Sequence, residues 1–151
     1  MKLTHVNEAG EARMVDVSAK PFSRRKARAS GTIRLRPETL ELIKSHQVQK
    51  GDVLATARTA AIAGAKRTSE LVPLCHNIPI DAIDVRFDLR TDGIDITAEA
   101  RCEAKTGIEM EALTAVAVAA LTIYDMCKAV DKTMVIGDIR LLEKTKDAIH
   151  D

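Results

Sequence analysis

Two stretches of the chain set reactive side chains close together. In ELVPLCHNIPI (residues 70 to 80) Cys75 stands beside His76, between two prolines in an otherwise apolar run. Such a pair could bind metal, form a nucleophile with its base, line a pocket or only pack. Adjacent side chains in extended backbone point in divergent directions, and among His5, His46, His76 and His150 there is no second Cys/His pair at zinc-ligand spacing. A nucleophile and its base must meet side chain to side chain, which sequence neighbours seldom do. A buried cysteine and a partly exposed histidine in a rigid loop is the plain reading; whether His76 faces a cavity stays open.

The second stretch, TGIEMEALTAVAVAALTIYDMCKAVDK (residues 106 to 132), reads as one long helix. Asp125 and Lys128, at i and i+3, are neighbours near its far end. At ~100° per residue Glu111 falls about 40° from Asp125 and roughly 21 Å away along the axis. Asp125 and Lys128 form either an ordinary surface ion pair or, set among Leu121, Ile123, Met126, Cys127, Ala129 and Val130, a lysine held in a dry setting that can move protons. Thr106 stands three residues before Glu109, the capping-box spacing, which accounts for that glutamate. Met110 between two glutamates reads first as core. Lys50 precedes a second helix, where the positive end of the backbone mildly disfavours a cation; it is either a solvated loop lysine or part of a site that binds an anion. Lys66 and Arg67 end that helix and complement its dipole. GAKRTS lacks the glycine spacing of a phosphate loop.

The elements that position these residues follow from periodicity. RKARASGTIRLR (25 to 36) alternates as a strand; PETLELIKSH opens on Pro37 as a short helix; VLATARTAAIAGAKRTSEL (53 to 71) forms a helix capped by Asp52 and packed through alanines. AIDVRFDLR (82 to 90) and IDITAEARCEAK (94 to 105), joined by a TDG turn, make a hairpin with Cys102 inward. TMVIGDIRLLEK (133 to 144) is the last strand. The order β, α in two pieces, β, β, α, β predicts an α+β chain: a ferredoxin-like antiparallel sheet with helices packed on one face.

At 151 residues the chain has the size of one domain, expected over 1–151 with an irregular N-terminal segment to about residue 24 and a polar tail from about residue 145. Aromatics are 2% of the residues, so the core must be built from Ala, Val, Ile and Leu. A net charge of +1 gives no global field for nucleic acid or a membrane surface, so any basic site is local. The start MKLTHVNEAG has no apolar leader and no stretch reaches roughly 18 uninterrupted apolar residues, so the expected location is cytoplasmic. Cys75, Cys102 and Cys127 form no CxxC pair and read as free thiols.

MVDVSAK (14 to 20), KGDVLATARTAAIAGAKRT (50 to 68), LVPLCHNIPI (71 to 80) and KTGIEMEALTAVAVAALTIYDMCKAVDK (105 to 132) together resemble the MoaC family of molybdenum cofactor biosynthesis, the cyclic pyranopterin monophosphate synthases. The resemblance runs from about Leu3 to Lys144. It implies a ferredoxin-like subunit, a homohexamer built as a trimer of dimers, and active sites at the dimer interface. The implied activity is that of a lyase. A cyclised dihydro-GTP, made by a separate radical enzyme, is rearranged to cyclic pyranopterin monophosphate with loss of diphosphate. Such a reaction needs cations for a triphosphate, acid-base groups for opening and reclosing rings, and a shaped pocket.

By the resemblance, Asp125 in YDMCK matches the family's active-site aspartate, Lys128 the catalytic lysine one turn on, and Lys50 in KGDV a second lysine required by the chemistry. Leu74, Cys75 and His76 match the substrate loop; Met110 and Glu111 match a second substrate contact, with Glu109 nearby. Arg25, placed by RKARA, and Lys66 and Lys144 match basic residues around the phosphates. On this reading Cys75 and His76 line a pocket whose backbone the prolines hold still. The sequence departs from the frequent family pattern at Asn77, where proline often follows the histidine. No resident metal or cofactor is implied, which leaves room for magnesium carried in on the triphosphate.

Two other classes compete. An RNA-binding ferredoxin-like module needs a stacking platform, and the central strands carry almost no aromatics. A small-molecule sensor would share the fold and the assembly without catalysis, and differs by binding nucleotide tightly with no product formed.

Overall fold

The alternating segments become the strands of one sheet. The computed structural model describes residues 6–149; His5 and His150, weighed above as ligands, lie outside the described residues. Strands β1 (Ser23–Arg34), β2 (Ala82–Leu89), β3 (Gly93–Ala104) and β4 (Val135–Ala148) alternate with helices α1 (Pro37–Lys44), α2 (Val53–Lys66), α3 (Thr68–Leu71) and α4 (Glu109–Cys127). The sheet order is β2-β3-β1-β4 with every neighbour antiparallel, the expected ferredoxin-like α+β arrangement. α4 lies across β1, β3 and β4, and α2 packs against α4 and β2. Ile94, Ile96, Ala98, Ala100 and Cys102 all turn inward under these helices, as their alternation predicts.

Several element boundaries differ from the sequence reading. β1 begins two residues early, where Ser23 pairs with Ala104 and Ala148, and ends two residues early, because the N–H of Leu35 donates to the Asp92 carbonyl in the β2–β3 turn and that of Arg36 to the Asp131 carboxylate. The helix expected to reach Leu71 breaks at Arg67: the Thr68 hydroxyl donates to the Ala65 carbonyl at 2.9 Å, and one short turn, α3, follows. α4 starts at Glu109, so Thr106 is no N-cap and the capping box does not form. β4 runs on to Ala148 and pairs with β1 as far as Ser23, so residues 145 to 148 are strand and not tail.

Small side chains set the spacing of the layers. Ala57, Ala61 and Ala65 of α2 and Ala112, Ala115, Ala119 and Ala120 of α4 are all buried. α4 spans 19 residues at a mean hydropathy of 1.5, enough by length and composition to cross a membrane; here its small side chains are covered by the sheet and α2, which a core helix also requires. Two glycines carry the closest approaches. A Cβ at Gly64 would stand 2.7 Å from Val118, and one at Gly31 would stand 2.7 Å from Cγ1 of the fully buried Val116 and 3.1 Å from Ile139.

Gly31→Ala therefore overpacks the β1–α4 contact, because a buried β-branched valine cannot swing clear. Overpacking costs about 1–3 kcal/mol, only partly offset by the ~0.4–1 kcal/mol that alanine gains through the unfolded chain. The expected outcome is a net loss of roughly 1 kcal/mol or more in urea unfolding; a variant as stable as the parent would show that the layers can separate freely.

Candidate active site

The C-terminal end of α4 carries the first cluster. Asp125 lies in the last turn and Lys128 is the C-cap, its N–H donating to the Tyr124 carbonyl at 2.9 Å, so its ammonium also complements the negative helix end. Lys50 comes from the α1–α2 connection, just before Gly51, whose φ of 105° only glycine adopts readily. Asp52 then caps α2 by accepting from the Ala55 N–H, as expected. The Lys50 ammonium donates to Asp125 Oδ2 at 2.7 Å and to the Asp125 carbonyl at 3.1 Å, while Lys128 donates to Oδ1 at 2.7 Å. One carboxylate thus takes an ammonium on each oxygen, leaving a local excess of one positive charge. The hydrogen bonds from Lys128 and then Lys50 hold the Asp125 carboxyl down at about 2, and Asp125 in turn raises Lys128.

The dry setting expected for this lysine is not present in the single chain. Lys50, Asp125 and Lys128 are each about half exposed, and Leu121 and Val130 beside them are 60% and 45% exposed. Of the apolar residues around the pair, Ile123, Met126 and Cys127 are buried within the chain, and Leu121 and Val130 are left without cover from it. Lys50 resolves its unfavourable place before α2 by pairing with Asp125, where sequence offered only solvation or a bound anion.

At the other end of α4 a cavity of about 330 Å³ collects the second group of residues. Leu74, Cys75, His76 and Ile78 form one wall and Glu109, Met110 and Glu111 the other, with Thr106 and Gly107 between them. His76 does face this cavity, and its Nε2–H donates to the Val15 carbonyl at 2.6 Å, binding the N-terminal segment to the loop. Burial, then the charges of Glu111 and Glu109, pushes the Cys75 thiol up, which disfavours the thiolate that a nucleophile needs, and His76 Nε2 is engaged by the Val15 carbonyl. Met110 lines the cavity instead of filling the core. Among the described residues no three His, Cys, Asp or Glu side chains come together as a metal centre requires.

The two glutamates of this cavity differ in kind. Glu109, freed from capping, accepts from the Lys144 ammonium at 2.7 Å. Glu111 is 3% exposed, and its Oε2, like Oε2 of Glu109, is buried with no partner. Burial raises the Glu111 carboxyl to about 7, with the charge of Glu109 adding to it. A carboxyl raised this far gains or loses its proton near neutrality.

Lys144 thereby joins the cavity, while the remaining basic residues stand apart. Arg25 donates from Nη2 to the Lys105 carbonyl at 3.3 Å with its Nε unpartnered, and lines a separate cavity of about 610 Å³ with Arg24, Asp81 and Cys102. Lys66 is exposed at the last turn of α2. Sequence reasoning missed Lys50 as the partner of Asp125, Ile78 and Val15 beside His76, and the buried Asp131. Only the last had a local signal, the Asp-x-Thr spacing of a side-chain turn from Asp131 to Thr133.

A carboxyl that binds its proton more tightly when folded weakens the fold as it ionises. Between the ordinary value of 4.5 and about 7, the folded chain holds a proton that the unfolded chain has released, so stability falls as pH rises through that window. The loss is roughly 3 kcal/mol at full ionisation, less where cavity water screens the charge. Glu111→Gln should gain stability relative to the parent on going from pH 5 to pH 8 in denaturant titrations. A pH-independent difference between the two would mean that Glu111 titrates normally.

A sequence model of the MoaC family matches residues 14–147. The cyclic pyranopterin monophosphate synthase of Peptoclostridium acidaminophilum is 57% identical over 145 residues, covering 96% of this chain and 92% of the relative. That of Desulfitobacterium hafniense is 57% identical over 146 residues, covering 96% and 90%. That of Streptomyces coelicolor is 54% identical over 144 residues, covering 95% and 85%. With nearly its whole length matched, the chain belongs to the MoaC family.

Proposed function

We propose that the chain catalyses the lyase step for which these relatives are named. It converts (8S)-3',8-cyclo-7,8-dihydroguanosine 5'-triphosphate to cyclic pyranopterin monophosphate with release of diphosphate, in molybdenum cofactor biosynthesis. The observation that carries the reading is Asp125 held between two ammoniums at 2.7 Å each. Opening and reclosing the base rings requires protons to be delivered and withdrawn at fixed points. Lys128 and Lys50 move them, oriented by Asp125. Closing the cyclic phosphate forms a bond from a sugar-derived hydroxyl to the α-phosphorus and breaks the bond to diphosphate, so cations must meet the departing charge. Arg25, Lys66 and Lys144 serve this need, Lys144 by exchanging Glu109 for a phosphate oxygen.

Leu74, Cys75, His76, Met110 and Glu111 hold the ring system, with Glu109 beside them. In one chain this cavity and the lysine cluster lie at opposite ends of α4, about 21 Å apart along the helix. We therefore place the complete site between two chains, the cavity of one meeting the lysines of the other, in a homohexamer assembled as a trimer of dimers. Exposed Leu121 and Val130 flank the cluster where such a partner would cover it. The enzyme works in the cytoplasm without nucleic acid, membrane or resident cofactor; magnesium arrives only on the triphosphate. The upstream radical enzyme supplies the substrate.

Incubation with the cyclised dihydro-GTP should release diphosphate and form a cyclic phosphate pterin. Lys128→Ala should abolish both while the fold and assembly persist; near-normal turnover would remove Lys128 from the mechanism. Binding without turnover by the parent protein would favour a sensor.

A shared site makes a second prediction. Lys128→Ala and Glu111→Gln subunits, each inactive alone, should recover about a quarter of parental activity when unfolded together and refolded as mixed dimers, since half the dimers then hold one intact site of two. No recovery in demonstrably mixed dimers would put each site within one chain.

A further inference from the structure

Asp131 is fully buried and takes no part in the chemistry above, yet four hydrogen bonds converge on it. Oδ2 accepts from the Arg36 N–H at 2.9 Å and the Thr39 hydroxyl at 3.0 Å. Oδ1 accepts from the N–H and hydroxyl of Thr133 at 2.9 and 2.8 Å. The Arg36 guanidinium stands 3.6 Å from Oδ1 and also donates to the Val130 carbonyl. No side chain of its own segment caps α1. Asp131 meets the N–H of the N-cap residue Arg36 and the Thr39 hydroxyl from across the fold, with negative charge at the positive helix end.

Asp131 and Val130 also donate their N–H groups to the Cys127 carbonyl, both at 3.0 Å, closing the turn that presents Lys128. On the other side α1 is anchored by buried Leu40 and Ile43 and leads directly into the connection that carries Lys50. The lysine cluster cannot fix its own geometry, because exposed ion pairs between long side chains contribute little. Its backbone supports must be set elsewhere. A buried carboxylate is a costly way to gain stability alone, since apolar packing often serves as well.

We infer that Asp131 is a positioning residue: it locks the end of α4 bearing Asp125 and Lys128 to the α1 segment that leads to Lys50, and so sets the reach of both ammoniums to one carboxylate. The inference rests on the proposed function for its kinetic consequence, but not for its structural one.

Thr39 offers the mild test, because it touches Asp131 and none of the three cluster residues. Thr39→Val removes one donor, Thr39→Ser keeps it, and Asp131→Asn replaces the acceptor itself. Side-chain 15N resonances of Lys50 and Lys128 report the cluster without substrate, and kcat and KM report the reaction. Thr39→Val should shift both lysine resonances and lower kcat about tenfold with KM within about twofold; Asp131→Asn should lower kcat about a hundredfold. Thr39→Ser should restore parental behaviour. Unmoved resonances and parental kcat in Thr39→Val, even with a lowered melting temperature, would make the network merely structural and overturn the inference. Should Asp131→Asn not fold, the Thr39 pair decides. If the parent protein forms no product, the function fails separately, and the lysine resonances still decide the role of Asp131.

Discussion

The distance at which α4 lies from β1 and α2 governs the rest of the molecule. Alanines on both helices and the bare Cα of Gly31 and Gly64 bring these elements close, and the valines of α4 that face the two glycines are already in tight contact. Dense packing transmits displacement instead of damping it. Because α4 has one group of reactive residues at each end, its seating on the sheet locates both at once. The scarcity of aromatic residues is part of the same design: a core of small aliphatic side chains lets one helix pack closely against three strands.

The two ends of this helix treat the same functional group in opposite ways. Asp125 is solvent-accessible and doubly paired, so its proton is held off far below neutrality. Glu111 is enclosed and one of its oxygens has no partner, so its proton stays on until about neutral pH. Desolvation and pairing push a carboxyl in contrary directions, and each dominates at one end. The chain therefore presents a permanent anion with two proton-bearing lysines at one end, and a neutral or anionic acid at will at the other. Acid-base work on a ring system calls for such a contrast within one substrate's reach.

What could be read from sequence was what repeats locally. The alternation of Ile94, Ile96, Ala98, Ala100 and Cys102 placed β3 and its inner face, and the alanine-rich periodicity placed α2 and α4. Long-range pairing left no such trace. Lys50 and Asp125 are 75 residues apart and Thr39 and Asp131 are 92 apart, and no period links them. The same limit explains the boundary differences, since β1 stops where distant acceptors claim its N–H groups. Glu109 shows the converse: its capping-box spacing was correct as a pattern, but Lys144 on β4 is a stronger partner than a backbone N–H. The resemblance to the MoaC family named most of the residues that line the cavity; only the coordinates show which of them are buried.

Strand β4 forms one edge of the sheet and carries Val135, Ile139, Leu141 and Leu142 partly exposed. Its ladder with β1 slips twice, between Arg28 and Ala29 and between Ser30 and Thr32, and Asp138 takes a left-handed φ of 54° at the second slip. A regular apolar edge is a template on which any extended chain can deposit. These irregularities twist the edge and interrupt its rhythm of donors and acceptors. The apolar border of β4 therefore lacks the unbroken run of donors and acceptors on which a stray strand pairs most readily.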